Sequence, residues 1–224
     1  MNGREFKDLI YEQFGRMANA FSSPKRLEIV DLLAQGERDV ESLSKLTSMT
    51  IANTSRHLQI LKAARLVDVR RVGVRIFYRL ADAQVLQCWM GLQSLAEKRT
   101  AEVREIARLF FEERDAMEAI SIDELWKRTQ NNDVVVLDVR PSEEYKNGHI
   151  AGAISMPLSE LKNRLDEIPL DHEVVAYCRG PYCVLSAEAV TILRDAGLEV
   201  VRLRDGFHEW RLAGLPVDQA RVDN

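Results

Sequence analysis

The sequence predicts two domains of different fold class: a mainly α-helical N-terminal domain, and an α/β C-terminal domain with a central parallel sheet. Apolar residues recur at helical spacing from residue 6 to residue 64, and a β-hairpin pattern around Gly73 follows them. From residue 133 onward, short apolar strands alternate with helical segments, which is typical of βαβ units. The predicted boundaries are residues 1–118 and 119–218, with a C-terminal tail at 219–224.

Four helices are predicted before the hairpin, at residues 6–21, 25–34, 40–46 and 50–64. Pro24 stands at the first turn of the second helix, and Gly36 follows its end. After the hairpin "LVDVRRVGVRIFYRL", residues 82–118 are predicted to form one long helix. Its acidic end, "FEERDAMEAIS", is the expected domain boundary.

The net charge of −4 conceals a difference between the two halves of the chain. Residues 1–120 carry 19 basic and 17 acidic side chains, whereas residues 121–224 carry 12 and 18. Within residues 50–80, seven basic side chains accompany Asp68 alone. Such a local excess of positive charge indicates phosphate binding, although solvated helix faces show the same pattern.

Two helices joined by a short turn and followed by a hairpin predict a winged helix-turn-helix, whose second helix enters the major groove. On that helix, Thr54, Leu58 and Leu61 are expected to face inward. The candidate DNA-binding residues face outward or lie on the hairpin: Ile51, Ala52, Asn53, Ser55, Arg56, His57, Gln59, Lys62, Arg70, Arg71 and Arg75. Arg56 and Gln59 are suited to base edges, and the hairpin arginines to phosphates. His57 is equally suited to half-buried packing.

The segment "SSPKRLEIVDLLAQGERDVESLSKLTSMTIANTSRHLQILKAARLVDVRRVGVRIFYRLAD" resembles the ArsR/SmtB family of bacterial winged-helix repressors. The resemblance implies a homodimer formed through the first and last helices of this domain, a palindromic operator, and release of DNA by an inducer. The metal-sensing members have thiolate or Asp/His/Glu ligands that are missing from "DVESLSKL" and from the last helix. No metal site is therefore expected, and Cys88 is interpreted as a packed apolar thiol beside Trp89.

In the second half, the stretch "VVAYCRGPYCVLSAEAV" places Cys178 at the end of a strand and a tight loop before a helix. A helix N-terminus and a neighbouring cation, Arg179, both favour a reactive thiolate. Gly180 and Pro181 help the chain to turn. The candidate sulfur-binding loop comprises Cys178, Arg179, Gly180, Pro181, Tyr182, Cys183 and Val184.

The length of this loop distinguishes the possible thiol chemistries. Thiol phosphatases and related arsenate reductases use a cysteine, five residues and then an arginine that holds the oxyanion. Counting from Cys178, that position is Val184. A single bound sulfur atom therefore fits the loop better than a tetrahedral oxyanion.

The motifs "VVVLDVRPSEEYKNGHIAGAISMPLSEL", "YCRGPYC" and "GFHEWRLAGLPV" resemble the rhodanese family of sulfurtransferases over residues 119–218. The resemblance implies that Cys178 takes a sulfane sulfur from thiosulfate or a persulfide and passes it to an acceptor thiol or cyanide, without a cofactor. Asp138, Arg140 and His149 match signature positions and are interpreted as support for the loop. Glu144 is expected on the surface.

Cys183 has two competing interpretations. It is either a resolving thiol that attacks persulfidated Cys178 and closes a bridge, or a small residue that fills the loop. A zinc pair is disfavoured because Cys-x₄-Cys is not the usual spacing and further ligands are not nearby.

Together the halves predict a DNA-binding transcriptional regulator that senses reactive sulfur species through Cys178. The alternatives are a working sulfurtransferase whose DNA-binding domain controls its own operon, and a metal sensor. The sequence shows neither a membrane span nor a signal peptide, and three cysteines suit a reducing compartment, so a cytoplasmic location is expected.

Overall fold

The computed structural model describes residues 1–114, 118–131, 134–169 and 172–219. The chain divides into two units, Met1–Arg99 and Thr100–Asn224. Residues 220–224 of the predicted tail lie outside the described residues.

The first unit consists of five helices and a small antiparallel sheet of order β1-β3-β2. Its elements are α1 (Gly3–Phe21), α2 (Pro24–Ala34), β1 (Arg38–Asp39), α3 (Val40–Leu46), α4 (Ile51–Ala63), β2 (Val67–Val72), β3 (Arg75–Leu80) and α5 (Ala83–Arg99). The four helices predicted before the hairpin, and the hairpin itself, are confirmed. Strands β2 and β3, which form the wing, follow α3 and α4 directly. The unit is a winged helix-turn-helix.

Polar N-cap residues fix the first turns of α3 and α4, the two helices of the helix-turn-helix. The Asp39 side chain accepts a hydrogen bond from the Ser42 N–H at 2.8 Å, and the Thr50 hydroxyl accepts one from the Asn53 N–H at 3.3 Å. Between the two helices, Ser48 adopts a left-handed conformation that turns the chain. The caps and the turn therefore set the direction in which α4 leaves α3.

The residues predicted to face inward on α4 do so. Thr54, Leu58 and Leu61 are completely buried, and the two leucines pack in a core with Ile29 and Leu43. The outer face of α4 therefore remains accessible in this unit.

The prediction of one long helix over residues 82–118 is wrong. The helix α5 ends at Arg99, Thr100 has an extended backbone (φ −111°, ψ 105°), and α6 (Ala101–Glu112) begins a new helix. Phe111 of α6 is buried in the core of the second unit, which explains why the two units separate between Arg99 and Thr100 and not at the expected boundary of 118/119.

The second unit is an α/β fold around a five-stranded parallel sheet of order β4-β9-β8-β5-β7. After α6, its elements are β4 (Ala119–Ile120), α7 (Ile122–Gln130), β5 (Val134–Asp138), α8 (Ser142–Asn147), β6 (His149–Ile150), β7 (Ile154–Ser155), α9 (Leu158–Leu161), a 3₁₀ turn (Leu165–Glu167), β8 (Glu173–Cys178), α10 (Val184–Asp195), β9 (Val200–Gly206), α11 (Phe207–Leu212) and β10 (Val217–Asp218). Strands β6 and β10 form a separate antiparallel pair. The segment "SELKNRLDEI", whose pattern predicts one helix over residues 159–168, forms only the short α9 and the 3₁₀ turn.

The central strand β8 positions the reactive loop. Its side chains alternate between the two faces of the sheet, with Val174, Ala176 and Cys178 in one core cluster and Val175 and Tyr177 in the other. All five are buried because helices cover both faces. Cys178 therefore ends the strand at the carboxyl edge of the sheet, where α/β proteins form their ligand sites.

Candidate functional site

The loop of residues 178–184, called the active loop below, connects the end of β8 to the beginning of α10. Cys178 is 1% exposed, and Cys183 is the N-cap residue of α10. The Cys183 N–H donates to the Gly180 carbonyl at 3.1 Å, which closes a tight turn. The two sulfurs form a disulfide, with the Cα atoms 6.2 Å apart. The turn therefore brings both predicted thiols together at the head of one helix.

Arg179, the residue after Cys178, pairs with a buried carboxylate. Its guanidinium donates to Glu144 at 2.7 and 3.0 Å, and Glu144 is only 1% exposed. The expectation that Glu144 lies on the surface is wrong, because α8 turns this side chain inward to meet Arg179. The positive charge of Arg179, expected to favour a Cys178 thiolate, is offset by Glu144. The N-terminus of α10 and the amides of the loop remain to stabilise negative charge on the sulfur.

A second buried ion pair lies at the end of β5. Asp138 and Arg140 are both fully buried and 2.6 Å apart, and Arg140 also donates to the Gly148 carbonyl at 2.8 Å. The Tyr177 hydroxyl donates to Asp138 at 2.5 Å. Burial, followed by the charge of Asp138, raises the pKa of Tyr177 well above its usual value, so the phenol stays protonated and continues to donate. These residues hold β5, β8 and the α8 region together.

His149 is buried and stacks on Tyr145, with 3.6 Å between the ring centroids. Its Nδ1 lies 2.9 Å from the Tyr145 carbonyl oxygen, a contact in which the ring nitrogen donates. These contacts fix the segment between α8 and β6, so His149 contributes packing to this part of the domain.

Gly206 is a site residue that the sequence interpretation did not identify. It pairs with Cys178 in the sheet, and a Cβ at this position would lie 2.3 Å from the backbone of Arg179 and Gly180. The Glu209 carboxylate accepts the Gly206 N–H at 3.0 Å and lies beside Gly180. The pattern glycine-x-x-glutamate at the start of a helix was the available sequence signal.

His208, next in this segment after Phe207, is buried with its Nε2 lacking a hydrogen-bond partner. Burial, with the charges of Arg211 and Arg140, lowers the pKa of His208 to about 3. The imidazole is therefore neutral in the folded protein at ordinary pH.

The candidate DNA-reading residues on α4 lie on its outer face. Ile51 is 53% exposed. The other exposed members of the set are Ala52, Asn53, Arg56, Gln59 and Lys62, and Ser55 and His57 are half-buried. Burial, followed by the charges of Arg26 and Arg56, lowers the pKa of His57, whose Nδ1 has no partner, so this residue belongs more to the packing of α4 than to a DNA-contacting surface.

The three hairpin arginines differ in their surroundings. Arg70 is paired with Glu37 through two Nε contacts of 3.0 Å and lies over the Phe77 ring. Arg71 and Arg75 are exposed on the wing. Arg70 is therefore committed to a contact within the unit, and Arg71 is the better candidate for a phosphate.

Cys88 is exposed on α5 and is not in a disulfide, so its interpretation as a packed apolar thiol is wrong. Its neighbour Trp89 instead faces α2, where the indole donates to Asp31 at 3.0 Å. Because Trp89 takes the inward position, the adjacent residue on the helix faces outward.

Within the described ranges, no three His, Cys, Asp or Glu side chains are arranged to hold a metal ion. Over the same parts of the chain, no helix has both the length and the apolar character required to cross a membrane.

Comparison with known proteins assigns both units. The sequence model of bacterial regulatory proteins of the arsR family matches residues 23–69, and that of the rhodanese-like domain matches residues 121–213. The HTH-type transcriptional regulator Rv0324 of Mycobacterium tuberculosis is 46% identical over 95% of this chain and 93% of its own length. The chain belongs to the ArsR-family regulators that carry a rhodanese-like domain. This ArsR–rhodanese regulator is therefore a DNA-binding regulator with a sulfurtransferase-like domain.

Each unit also has similar proteins or protein fragments that match it alone. A sulfurtransferase of Allochromatium vinosum is 36% identical over 38% of the regulator and 78% of its own length. The solution structure of the homodimeric winged helix-turn-helix DNA-binding domain of Mb0332 from Mycobacterium bovis, a possible ArsR-family regulator, is 37% identical. It covers 45% of the regulator and 91% of its own chain, with a TM-score of 0.42.

Replacing Gly206 by alanine is expected to slow closure of the Cys178–Cys183 disulfide at least tenfold. The added methyl group would overlap the backbone of Arg179 and Gly180, and this backbone cannot move away without moving Cys178. Closure is measured by mass spectrometry after an oxidant is added to the reduced protein. Gly180→Ala, whose Cβ would meet only Glu209 oxygens at 3.7 and 3.9 Å, should lose far less. Equal losses in the two variants would refute the role of this contact.

Acidification from pH 7 to pH 5 is expected to destabilise the second unit through His208. In the unfolded chain this imidazole regains its usual pKa of 6.5 and binds a proton that the folded chain excludes until about pH 3. The free energy of unfolding should therefore fall by about 2 kcal/mol more in the wild type than in His208→Gln. Hydrogen exchange of the β8 and β9 amides at the two pH values measures this difference. His172→Gln, at an exposed position, should behave as the wild type, and parallel losses in wild type and His208→Gln would contradict the assignment.

Proposed function

We propose that this DNA-binding regulator senses reactive sulfur species, and that Cys178 accepts a sulfane sulfur as a persulfide. The observation that carries the proposal is the thiol pair: Cys178 ends the central strand, and Cys183 heads α10 close enough to form a bond with it. A helix N-terminus stabilises a thiolate and, equally, the anionic outer sulfur of a persulfide.

In the first step, the Cys178 thiolate attacks the terminal sulfur of a persulfide R–S–SH. A bond forms between Cys178 and the transferred sulfur while the original S–S bond breaks. The proton stays on the transferred sulfur, and R–S⁻ leaves. Thiosulfate is the other sulfane donor, and transfer of its outer sulfur to Cys178 would release sulfite.

In the second step, the Cys183 thiolate attacks the Sγ atom of persulfidated Cys178 and expels HS⁻. The two cysteines are oxidised to a disulfide and the sulfane sulfur is reduced, so no other oxidant is required. The Cα separation of 6.2 Å and the bonded sulfurs support Cys183 as the resolving thiol over its interpretation as a loop-filling residue. Two equivalents of a thiol would return the pair to its reduced state, as the first forms a mixed disulfide and the second releases it as R–S–S–R.

The regulator is proposed to act as a homodimer on a palindromic operator. Large apolar side chains are exposed on α1, namely Phe6, Leu9, Phe14 and Met17, and on α5, namely Leu92 and Leu95. Apolar faces of this size on the first and last helices of the DNA-binding unit favour burial against a second copy. Because the operator is chromosomal DNA, we place the protein in the cytoplasm.

A working sulfurtransferase whose DNA-binding unit controls its own operon is the second candidate. The retained Cys178 and the 36% identity to the sulfurtransferase of Allochromatium vinosum favour it. The same experiment separates the two candidates.

Treatment with inorganic polysulfide is expected to change the operator affinity of the wild type at least tenfold, and that of Cys178→Ser less than twofold. The serine hydroxyl cannot accept a sulfane sulfur, so this variant cannot form the persulfide that would change operator affinity. A gel-shift titration and mass spectrometry are made on the same sample. Cys88→Ser removes the exposed thiol of the DNA-binding unit and should respond as the wild type. If sulfur turnover depends on Cys178 while operator affinity never responds, the protein is a sulfurtransferase and the sensing proposal is wrong.

The DNA contacts are tested with two arginine variants. Arg56→Ala on the reading helix should relax base preference at one operator position, at a cost of about 1–3 kcal/mol. Arg71→Ala on the wing should weaken binding to all sequences evenly and reduce the slope of log affinity against log salt by about 1. Arg70 is paired with Glu37, so Arg70→Ala should weaken operator binding less than Arg71→Ala does. Unchanged operator binding in both variants would show that the outer face of α4 and the wing do not contact DNA.

A further inference from the structure

A groove of about 350 Å³ lies between α6 and the active loop. Val103, Ile106 and Phe110 of α6 form one side, and Tyr182 and Val184 form the other. Apart from the Tyr182 hydroxyl the lining is apolar, and no charged side chain lines the groove among the described residues. Its volume lies near the lower end of the range for small-molecule sites, about 300–1,000 Å³.

The groove adjoins the thiol pair. Cys183 stands between the lining residues Tyr182 and Val184, and it packs against the same core cluster as Phe110. Cys178 is 1% exposed, whereas Cys183 is half-buried, so the pair is more accessible on the Cys183 side. Cys183 is not itself a lining residue, but its neighbours on both sides are, and its sulfur is bonded to that of Cys178.

Resting on the function proposed above, we propose that the groove binds the carbon skeleton of the sulfur donor, and that this donor is a small apolar organic persulfide. Its R group, aliphatic or aromatic, would lie along α6 with its terminal sulfur directed at the thiol pair. The Cys178 thiolate takes that sulfur as the S–S bond of R–S–SH breaks, and the thiolate R–S⁻ leaves as its apolar R group withdraws along the groove.

The charges around the groove favour this class of donor over anionic ones. Arg114, two residues beyond α6, lies 3.8 Å from the Phe110 ring centroid and donates to the Phe110 carbonyl at 3.1 Å, and it is not a lining residue of the groove. Thiosulfate, a dianion, would find no cation among the described lining residues. An apolar chain, in contrast, removes the exposed surfaces of Ile106 and Val184 from water, which are 68% and 44% exposed.

A small molecule also fits the groove better than a second copy of the chain does. Stable protein interfaces bury about 800 Å² on each partner, whereas this groove is a short recess that ends at the active loop. Its continuity with the reactive cysteines ties it to the sulfur-transfer step. A second copy as the occupant is an outcome that the test below would reveal.

The test measures the second-order rate constant for sulfur loading of Cys178 by methyl, propyl and hexyl persulfides in the full-length protein. Rates are divided by those of free N-acetylcysteine to remove differences in intrinsic reactivity. Each methylene buried in the groove should raise the relative rate constant by up to about fourfold. Mass spectrometry on the Cys183→Ser background, in which the persulfide is not resolved, reports the loading.

Two charge insertions on α6 locate the effect. Ile106→Glu places a carboxylate in the groove and should slow loading by hexyl persulfide at least tenfold, and loading by methyl persulfide much less. Leu109→Glu is the matched control: it is exposed on the same helix but does not line the groove, and it should leave both rates within twofold.

The outcomes separate this proposal from the proposed function. Equal relative rates for methyl and hexyl persulfides, or equal effects of the two glutamates, would overturn the groove as a donor site while sulfur loading of Cys178 stands. A loss of self-association in Ile106→Glu but not in Leu109→Glu, measured by sedimentation, would assign the groove to a second copy and overturn the proposal. Failure of every donor to load Cys178 would remove the proposed function itself.

Discussion

The position of the Cys178 sulfur depends on one close backbone contact. At the end of the sheet, β9 finishes with Gly206, and the backbone of Arg179 and Gly180 lies where any larger residue would place its Cβ. This contact lets the chain leave β8 and reach the N-terminus of α10 within a few residues, and the Glu209 carboxylate caps the same glycine. The helix dipole, the loop amides and the second thiol all act on Cys178 only because the loop is held this close.

The charges around the loop determine how large a signal the sulfur can give. Arg179 is offset by Glu144, and Arg140 by Asp138, so the helix N-terminus is the main source of stabilisation for an anionic sulfur. Such an interaction is worth about 0.3–1 kcal/mol at an exposed helix end and up to about 2 kcal/mol where the charge is partly buried. A tenfold change in operator affinity requires about 1.4 kcal/mol. Because Cys178 is buried, a charge change reaches this value only near the upper limit, and in the proposed mechanism closure with Cys183 adds a structural difference between the states.

The sequence predicted the features that depend on local periodicity and chemistry. The four helices, the hairpin, the inner face of α4 and the position of Cys178 at a strand end follow from residues that are neighbours in the chain. The errors concern distant partners. Glu144 is buried because it meets Arg179, 35 positions away. The pairing of Arg70 with Glu37, 33 positions away, was likewise not predictable from neighbouring residues. The break at Thr100 likewise depends on α6 packing into the second unit, which helical periodicity alone cannot reveal.

The helix α6 links the proposed chemistry to the rest of the regulator. Its inner side places Phe111 in the core that also contains Cys178, and its outer side lines the groove beside Tyr182 and Val184. Both the state of the thiols and the occupant of the groove therefore act on the same helix. Along the chain, α6 begins two residues after the end of α5, the last helix of the DNA-binding unit. A ligand shifts a conformational equilibrium only by the difference between its affinities for the two conformations. A donor that binds α6 with different affinity before and after disulfide closure would therefore couple sulfur transfer to operator binding.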